Sequence, residues 1–308
     1  MTRRLAVIDI GSNTIKINVA DWNNGQLIKV VYRDFPSCLG RNLSSANRIE
    51  PTAIQDCDQV LKEIKKLLRE YEVEEYRYIA TEALRAAVNR DEILPLIHSY
   101  TDGADVEVIS GEEETRLTLK AILIDLPRTK AYACINAGGL STELGFYLPT
   151  APNKEGLYFF EFGAISLYKD FIQNRPDADH SIAEAGNFIS RQFDRLKIAI
   201  PPQIDQVVSV GGSIYNAAYI FKKDGSRNFE ELANMKLSLS DLESVISQLK
   251  PFSGKEKLQL SGMDQERSNT SLSGLLIHYF LLKMLKKDEL TISTRSISDG
   301  LIYSMAEI

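Results

Sequence analysis

Two short segments of the chain place small and polar residues where a phosphate group could bind. Each begins with an apolar run, reaches Asp9 or Asn136, turns on glycines and hydroxyl residues, and returns as a second apolar run. Small residues in such a turn let a phosphate approach the backbone N–H groups closely. We predict phosphate-binding residues in both turns: Gly11, Ser12, Asn13, Thr14, Gly138, Gly139 and Ser141.

The elements around the two turns also repeat. Apolar runs predict a strand, turn and returning strand over residues 5–20, and the same arrangement over residues 130–147. Apolar residues at helical spacing predict helices that include residues 51–71 and residues 180–196. Strands and helices alternate along the chain, which indicates a layered α/β architecture.

The repeat divides the chain into two predicted domains. Leu126 and Pro127 end a predicted helix, and we place the domain boundary there. We predict an α/β fold of two ribonuclease-H-like domains, residues 1–126 and 127–308, with a cleft in which the two hairpins clamp a phosphate chain. The last helix, about residues 299–308, could pack back on the first domain.

Two later helix starts carry recognisable signals. A predicted strand ends in Gly211, Gly212 and Ser213, which open a helix whose N-terminus suits an anion, although the same residues could form only a strand-to-helix turn. Ser240 and Glu243 have the spacing of a capping box. We therefore add the glycine-rich segment to the candidate phosphate-binding residues.

The composition limits the class of protein. The chain has 308 residues, a net charge of −6 and three cysteines, Cys38, Cys57 and Cys134, in no metal-binding spacing. Negative net charge disfavours broad binding to nucleic acid or anionic membranes, so we predict no DNA, RNA or membrane partner. No apolar run approaches a membrane span, and few cysteines favour a reducing compartment, so we expect a cytoplasmic location.

Six segments match the motifs of a known family when they are taken together. The segments are DIGSNT (9–14), IATEALRAAVN (79–89), VISGEEETRL (108–117), NAGGLSTEL (136–144), SVGGS (209–213) and SGMD (261–264). In this combination they resemble the exopolyphosphatase and guanosine pentaphosphate phosphohydrolase (Ppx/GppA) family, in its short two-domain form. That family belongs to the superfamily of actin, hexokinase and the heat-shock ATPases.

The resemblance implies an activity and roles for particular residues. It implies hydrolysis of a terminal phosphoanhydride in inorganic polyphosphate or guanosine pentaphosphate, with Mg²⁺ or Mn²⁺ as cofactor and a homodimer as a further expectation. Glu114 would activate or position the attacking water, and Arg85 would grip phosphate as a second catalytic residue. Asp9, Asn136 and Glu143 occupy the positions that hold or orient the metal.

Four positions depart from the family pattern. Asn136 replaces an aspartate, so a neutral amide stands where an anionic metal ligand is expected. Leu140 replaces a glycine, and Ser166 and Ser298 replace arginines of two further motifs. One lost carboxylate and two lost cations suggest a weakened or respecialised phosphohydrolase.

Two other functions stay open at this point. A non-catalytic sensor that binds guanosine tetraphosphate, guanosine pentaphosphate or polyphosphate is favoured by the four departures. A sugar or acetate kinase of the same superfamily is less favoured, because the segment around Glu114 resembles the phosphohydrolases. Retained Asp9, Arg85, Glu114 and Glu143 favour the enzyme over the sensor.

Overall fold

The computed structural model describes residues 2–36, 39–40, 47–104, 106–152, 156–175, 177–223, 225–251 and 254–307. Cys38 lies outside these residues, and Cys57 and Cys134 are buried, unpaired thiols. No helix within the described ranges is long and apolar enough to cross a membrane.

Strands and helices alternate through the described residues. These residues also include a π-helical turn, Tyr168–Ile172, and two short 3₁₀ turns. In chain order the elements are β1 (Arg3–Ile10), β2 (Thr14–Asn23), β3 (Gln26–Pro36), α1 (Pro51–Glu70), β4 (Glu75–Ala80), α2 (Glu82–Ala86), α3 (Arg90–His98), β5 (Val106–Val108), α4 (Gly111–Ile122), β6 (Tyr132–Ala137), β7 (Thr142–Tyr147), β8 (Gly156–Phe160), α5 (Ala164–Leu167), α6 (Ala178–Arg195), β9 (Gln206–Val210), α7 (Gly212–Lys222), β10 (Lys236–Ser238), α8 (Leu239–Leu249), α9 (Gly254–Lys257), α10 (Ser271–Met284), β11 (Glu289–Ile292) and α11 (Ile297–Ala306).

The chain forms two compact units. Unit 1 comprises Met1–Ala121 with Ser296–Ile308, and unit 2 comprises Ile122–Arg295. The chain passes from unit 1 to unit 2 after Ala121, close to the expected boundary after residue 126. The C-terminal helix α11 packs against β1 within unit 1. The domain ranges 1–126 and 127–308 stay a prediction.

Unit 1 contains a five-stranded sheet between two helical layers. The strand order is β3-β2-β1-β4-β5, with antiparallel pairs among the first three strands and parallel pairs from β1 to β5. One face of the sheet packs on a core that includes α1 and α3, and the other face packs on α4 and α11. Asp9 shares its strand face with Leu5 and Val7, so it belongs to the α4 and α11 side.

Unit 2 repeats this arrangement. Its sheet has the order β10-β11-β9-β6-β7-β8, in which β6, β7 and β8 form an antiparallel meander and β9 and β11 are parallel to β6. Helices α6, α7, α8 and α10 cover the face that carries Ile135 and Leu144. The same connectivity in both sheets confirms the α/β class and the duplication expected from the two turns.

Some local features differ from the sequence-based expectations. The capping box of α8 is formed by Ser238 and Asp241, not by Ser240 and Glu243: Asp241 N–H donates to Ser238 Oγ, and Ser238 N–H donates to Asp241 Oδ2. Helix α8 begins earlier than expected because the short strand β10 pairs with β11 and ends directly before the helix. Helix α5 is α-helical only to Leu167, and the chain continues directly as the π-helical turn.

Candidate functional site

Asp9 lies at the end of β1 in a buried, partly compensated position. Its register partner on β2 is Lys16, whose Nζ lies 3.6 Å from Asp9 Oδ2. Asp9 Oδ1 is buried and has no hydrogen-bond partner. Burial raises the pKa of the Asp9 carboxyl, and the positive charge of Lys16 opposes this change. Asp9 therefore offers one unsatisfied oxygen to an incoming cation, water or donor.

The turn between β1 and β2 is tight. Gly11 N–H donates to the Thr14 carbonyl at 3.0 Å, and Ser12 is buried with its carbonyl accepting from Gly40 N–H at 2.6 Å. Asn13 Oδ1 is a second buried acceptor without a partner. The structure thus places the predicted residues Gly11, Ser12, Asn13 and Thr14 in one loop that begins two residues after Asp9.

Arg85 and Glu114 come together although they are 29 positions apart in the chain. Arg85 follows β4 on the short helix α2, and Glu114 lies in the first turn of α4. Both terminal nitrogens of Arg85 lie 3.2 Å from Glu114 Oε2, and Nη1 also donates to the Ile109 carbonyl at 2.8 Å. Glu82 forms a further ion pair with Arg85. The guanidinium is therefore fixed in place by neighbouring carboxylates.

Glu114 differs from the other acidic residues at the start of α4. Glu112 and Glu113 are more exposed and pair with Arg116, as expected for the solvated side of a helix start. Glu114 is buried, and burial raises its pKa to about 7, while Arg85 opposes the shift and Asp9 adds to it. A carboxyl group with a pKa near neutrality can exchange a proton with water at physiological pH.

Asn136 and Glu143 form the corresponding pair in unit 2. They are register partners on β6 and β7, and Asn136 Nδ2 donates to Glu143 Oε2 at 2.7 Å. Ser141 Oγ donates to Glu143 Oε1 at 2.7 Å, so both oxygens of this buried carboxylate accept a hydrogen bond. Because a carboxylate can only accept, these bonds assign the Asn136 amide nitrogen to the Glu143 side.

The second glycine-rich turn packs against α5. Gly138 N–H donates to the Ser141 carbonyl at 2.9 Å. The carbonyls of Gly138 and Gly139 accept from Ala164 and Ile165 N–H at 2.9 and 2.6 Å. Since these carbonyls are turned toward the start of α5, the turn is held in a defined conformation by the helix.

The third glycine-rich segment lies beside Asn136. Gly211 has a φ of +106°, and a Cβ at this position would lie 2.9 Å from Asn136 Oδ1, so only glycine suits both the conformation and the space. Gly212 begins α7, and Ser213 is buried with its hydroxyl beside Gly274 of α10. The structure therefore brings Gly211 and Gly212 to the Asn136 hairpin and directs the Ser213 side chain inward.

One cation near this segment was missed by the sequence analysis. The guanidinium of Arg267 lies against Gly212, where any Cβ would clash with it. Asp264 Oδ2 lies 3.7 Å from Arg267 Nε and accepts a hydrogen bond from Arg227 at 2.7 Å. The signal was available, since Arg267 follows the SGMD segment by three residues, but a single arginine after a turn is not specific.

Two of the departures have local explanations in the structure. Ser166 Oγ accepts from Gly163 N–H at 2.8 Å and donates to its carbonyl, so it caps the short helix α5. Ser298 is fully buried in unit 1, and its hydroxyl has no hydrogen-bond partner. An arginine at position 298 would need more space than this buried serine occupies. No contact of Leu140 explains its replacement of glycine.

The predicted metal residues differ in how well they suit a divalent cation. The described residues contain no cluster of three or more His, Cys, Asp or Glu side chains arranged for a metal. Asp9 fits the expected ligand, because Oδ1 is a buried carboxylate oxygen without a partner. Glu143 is already satisfied by Asn136 and Ser141. Oxygen donors are the right chemistry for Mg²⁺, and Asp9 Oδ1 is the predicted ligand atom that is buried without a hydrogen-bond partner.

Two sheets of one connectivity, each with a glycine-rich hairpin after its first strand, define the actin-like class of phosphoryl-transfer proteins. The model of the Ppx/GppA phosphatase family matches residues 19–308, and the chain belongs to this family. The match confirms the family and the enzyme class inferred from the motifs.

Relatives of this chain match over nearly its whole length. Exopolyphosphatase 2 of Mycobacterium tuberculosis is 24% identical, over 98% of this chain and 98% of that protein. The guanosine-5'-triphosphate,3'-diphosphate pyrophosphatase of Photobacterium profundum is 25% identical, over 97% of this chain and 59% of that protein. The crystal structure of the Aquifex aeolicus Ppx/GppA family member superimposes with a TM-score of 0.85 at 25% identity, covering 100% of this chain and 98% of that one.

Proposed function

We propose that this protein hydrolyses the terminal phosphoanhydride of inorganic polyphosphate. The observation that carries the proposal is the buried Glu114 carboxyl, which is held by Arg85 and has a pKa of about 7. It stands in the first turn of α4, in the unit that also carries Asp9 and the first phosphate loop. A family of phosphatases provides the context in which such a carboxyl acts as a base.

The roles of the residues follow from their chemistry. Glu114 accepts a proton from the water that attacks the terminal phosphorus. As the new P–O bond forms, the bond to the bridging oxygen breaks, so the polyphosphate chain leaves one unit shorter and the terminal group is released as inorganic phosphate. Arg85 donates to the phosphoryl oxygens, which gain charge in the transition state. The backbone N–H groups of the turns at residues 11–14 and 138–141 bind the phosphates.

A divalent cation, Mg²⁺ or Mn²⁺, completes this proposal. When bound, it would neutralise charge on the phosphate oxygens and lower the activation free energy for attack by water. Asp9 would hold it in unit 1 through the free Oδ1. Asn136 and Glu143, the other predicted metal residues, lie in unit 2, where both Glu143 oxygens already accept hydrogen bonds. The neutral amide at position 136 implies weaker binding than a second aspartate would give.

We choose polyphosphate rather than guanosine pentaphosphate as the proposed substrate because this chain covers more of the relative named for polyphosphate. The relative named exopolyphosphatase matches this chain from end to end, at 98% of both proteins. The relative named for the guanosine nucleotide has a further part that this chain does not match, since only 59% of it is covered.

The test is phosphate release by the purified protein in the presence of Mg²⁺ or Mn²⁺. Polyphosphates of several chain lengths and guanosine pentaphosphate are the substrates, and Glu114→Gln is the catalytic variant. Glu113→Gln is the matched control, because Glu113 is adjacent but pairs with Arg116. We expect release from polyphosphate, a loss of about 10² to 10⁴-fold in Glu114→Gln and little change in the control. Equal activity of both variants would remove Glu114 from the mechanism.

A sensor that binds polyphosphate or guanosine tetra- or pentaphosphate is the second candidate. It is favoured by the Asn136–Glu143 hydrogen bond, which satisfies the carboxylate without a metal ion. If no phosphate is released, calorimetry with the same ligands distinguishes a sensor from an inactive protein. Binding without turnover would support the sensor and overturn the hydrolase.

A further inference from the structure

A buried network holds the beginning of α11 against β2. Asp299 and Asn18 are both fully buried, and Asn18 Nδ2 donates to Asp299 Oδ1 at 3.1 Å. Asp299 Oδ2 accepts from the N–H and the hydroxyl of Ser296 at 2.7 and 2.9 Å. Because a buried carboxylate is costly unless its oxygens are satisfied, this network specifies one position of α11 on the sheet.

The network lies on the same face of the sheet as Asp9. In the β1–β2 register, Val7 pairs with Asn18 and Asp9 pairs with Lys16. Side chains two residues apart on a strand point to the same face. The Asn18–Asp299 hydrogen bond is therefore about 7 Å along the hairpin from the Asp9–Lys16 pair.

The same end of α11 also contacts the helix that carries Glu114. Gly300 follows Asp299, and a Cβ on Gly300 would clash with the carbonyl oxygen of Leu117 in α4. Leu117 is one helical turn beyond Glu114, and it shares a buried core with Val7 and Leu301. Helix α11 is thus in contact with both the strand of Asp9 and the helix of Glu114.

We infer that Asp299 is a positioning residue, which fixes Glu114 relative to Asp9 by docking α11 between β2 and α4. It acts through Asn18 on the hairpin side and through the Gly300–Leu117 contact on the α4 side. The inference rests on the proposed function for its effect on catalysis. Its effect on the mobility of α4 is independent of that function.

Exchange of the two partners is the decisive variant. Asn18→Asp places two carboxylates face to face in a buried site, so we expect α11 to lose its docking. In Asn18→Asp with Asp299→Asn, the new amide donates to the new carboxylate and its oxygen accepts from Ser296, so the docking returns. Asp299→Asn alone is the intermediate control: after a flip, Asn18 Oδ1 accepts from the new amide, but Asn18 Nδ2 then loses its acceptor, so we expect a smaller effect than that of Asn18→Asp.

Two measurements read the result. Hydrogen–deuterium exchange of residues 111–122 reports the docking of α4, and phosphate release reports catalysis. For Asn18→Asp we expect about tenfold faster exchange in this segment and a kcat lower by about tenfold or more, with KM changed by less than about threefold. The double variant returns both quantities toward wild type. Gly300→Ala, which acts from the α4 side, should also lower kcat.

The outcomes separate the inference from the proposed function. If the wild type releases no phosphate, the function fails, and the exchange of residues 111–122 alone decides the inference. Unchanged exchange in Asn18→Asp, or a double variant no better than the single one, would overturn it. If exchange rises throughout both units rather than in α4, Asp299 only stabilises the protein, and the positioning role is wrong.

Discussion

Asp9 with Lys16, and Asn136 with Glu143, occupy matching places in the two hairpins. In each pair, a residue at the end of the first strand faces its register partner on the second strand. The first pair is a carboxylate with an ammonium, and the second is an amide with a carboxylate. An aspartate at position 136 would instead face Glu143 as a like charge, which is unfavourable unless a cation lies nearby. The amide therefore removes a need for metal that an aspartate at position 136 would create.

Asn136→Asp should make unit 2 depend on a divalent cation. Without metal we expect a loss of about 1–3 kcal/mol, because the Asn136–Glu143 hydrogen bond is replaced by repulsion. With Mg²⁺ in excess the loss should be offset by binding to the folded state. Thermal unfolding with Mg²⁺ and with a chelator measures both effects. Asn228→Asp, at an exposed site, is the control, and equal metal dependence in both variants would contradict the argument.

The raised pKa of Glu114 gives a second prediction at this scale. A general base must be deprotonated, so activity requires a pH above the pKa of its carboxyl group. Burial raises that pKa to about 7, so we expect kcat to fall about tenfold per pH unit below pH 7. A profile of kcat against pH, with saturating polyphosphate and metal, measures the midpoint. A midpoint near the ordinary glutamate value of 4.5 would show that the working carboxyl is not buried.

Helix α10 contains a buried histidine that links stability to pH. His278 is fully inaccessible, neither ring nitrogen has a hydrogen-bond partner, and burial lowers its pKa to about 3. The unfolded chain binds a proton near the ordinary value of 6.5, while the folded protein does not. Above pH 6.5 His278 is neutral in both states, and the free energy of unfolding keeps its full value. As the pH falls from 6.5 toward 3, protonation of the unfolded chain lowers the free energy of unfolding by about 1.4 kcal/mol per pH unit.

His278→Leu should remove this part of the pH dependence. Urea unfolding at pH 5 and pH 7.5, followed by far-ultraviolet circular dichroism, gives the difference in stability for each protein. We expect the variant to lose less stability than the wild type between these pH values, by about 2 kcal/mol. His180→Gln, at an exposed histidine, should behave as the wild type. If the variant and the wild type lose the same stability between these pH values, His278 binds its proton equally well in the folded and unfolded states, and its pKa is not lowered.

Elements with a strong local pattern were predictable, and those that depend on tertiary pairing were not. The hairpin β1–β2 could be predicted from two apolar runs around a glycine turn. The strand β10 is only three residues long and exists because it pairs with β11, and α3 contains Pro95, which argues against a helix.

The residues of the candidate site also separate into those that the sequence pattern predicts and those that depend on the folded structure. The glycine turns could be recognised from spacing alone. The pairing of Arg85 with Glu114 could not, since they are distant in sequence and meet only through the sheet, and they were selected by family resemblance. Arg267 was missed because its importance depends on where the chain folds back onto Gly212.

At the scale of the whole molecule, the chain leaves unit 1 and returns to it. Residues 296–308 belong to unit 1 although they follow unit 2 in sequence. Helix α11 contributes Ile297, Leu301, Ile302 and Met305 to the core on the α4 side. Loss of one such buried side chain lowers the free energy of unfolding by about 2–5 kcal/mol. Loss of all four would therefore be comparable to the whole free energy of unfolding of a typical domain, about 5–15 kcal/mol.

A chain that ends at Arg295 should therefore lose the structure of unit 1 and keep that of unit 2. Trp22, the single tryptophan, lies in unit 1 with its ring 5.4 Å from that of Tyr303 in α11, so its fluorescence reports this loss. We expect red-shifted emission and rapid hydrogen exchange in β1, β2 and β4, with continued protection in β6 and β9. Tyr303→Leu is the control, because it changes the surroundings of Trp22 without removing the helix. Protection of β1 and β4 in the shortened chain would mean that unit 1 folds without α11, and that the return of the chain is not needed for its stability.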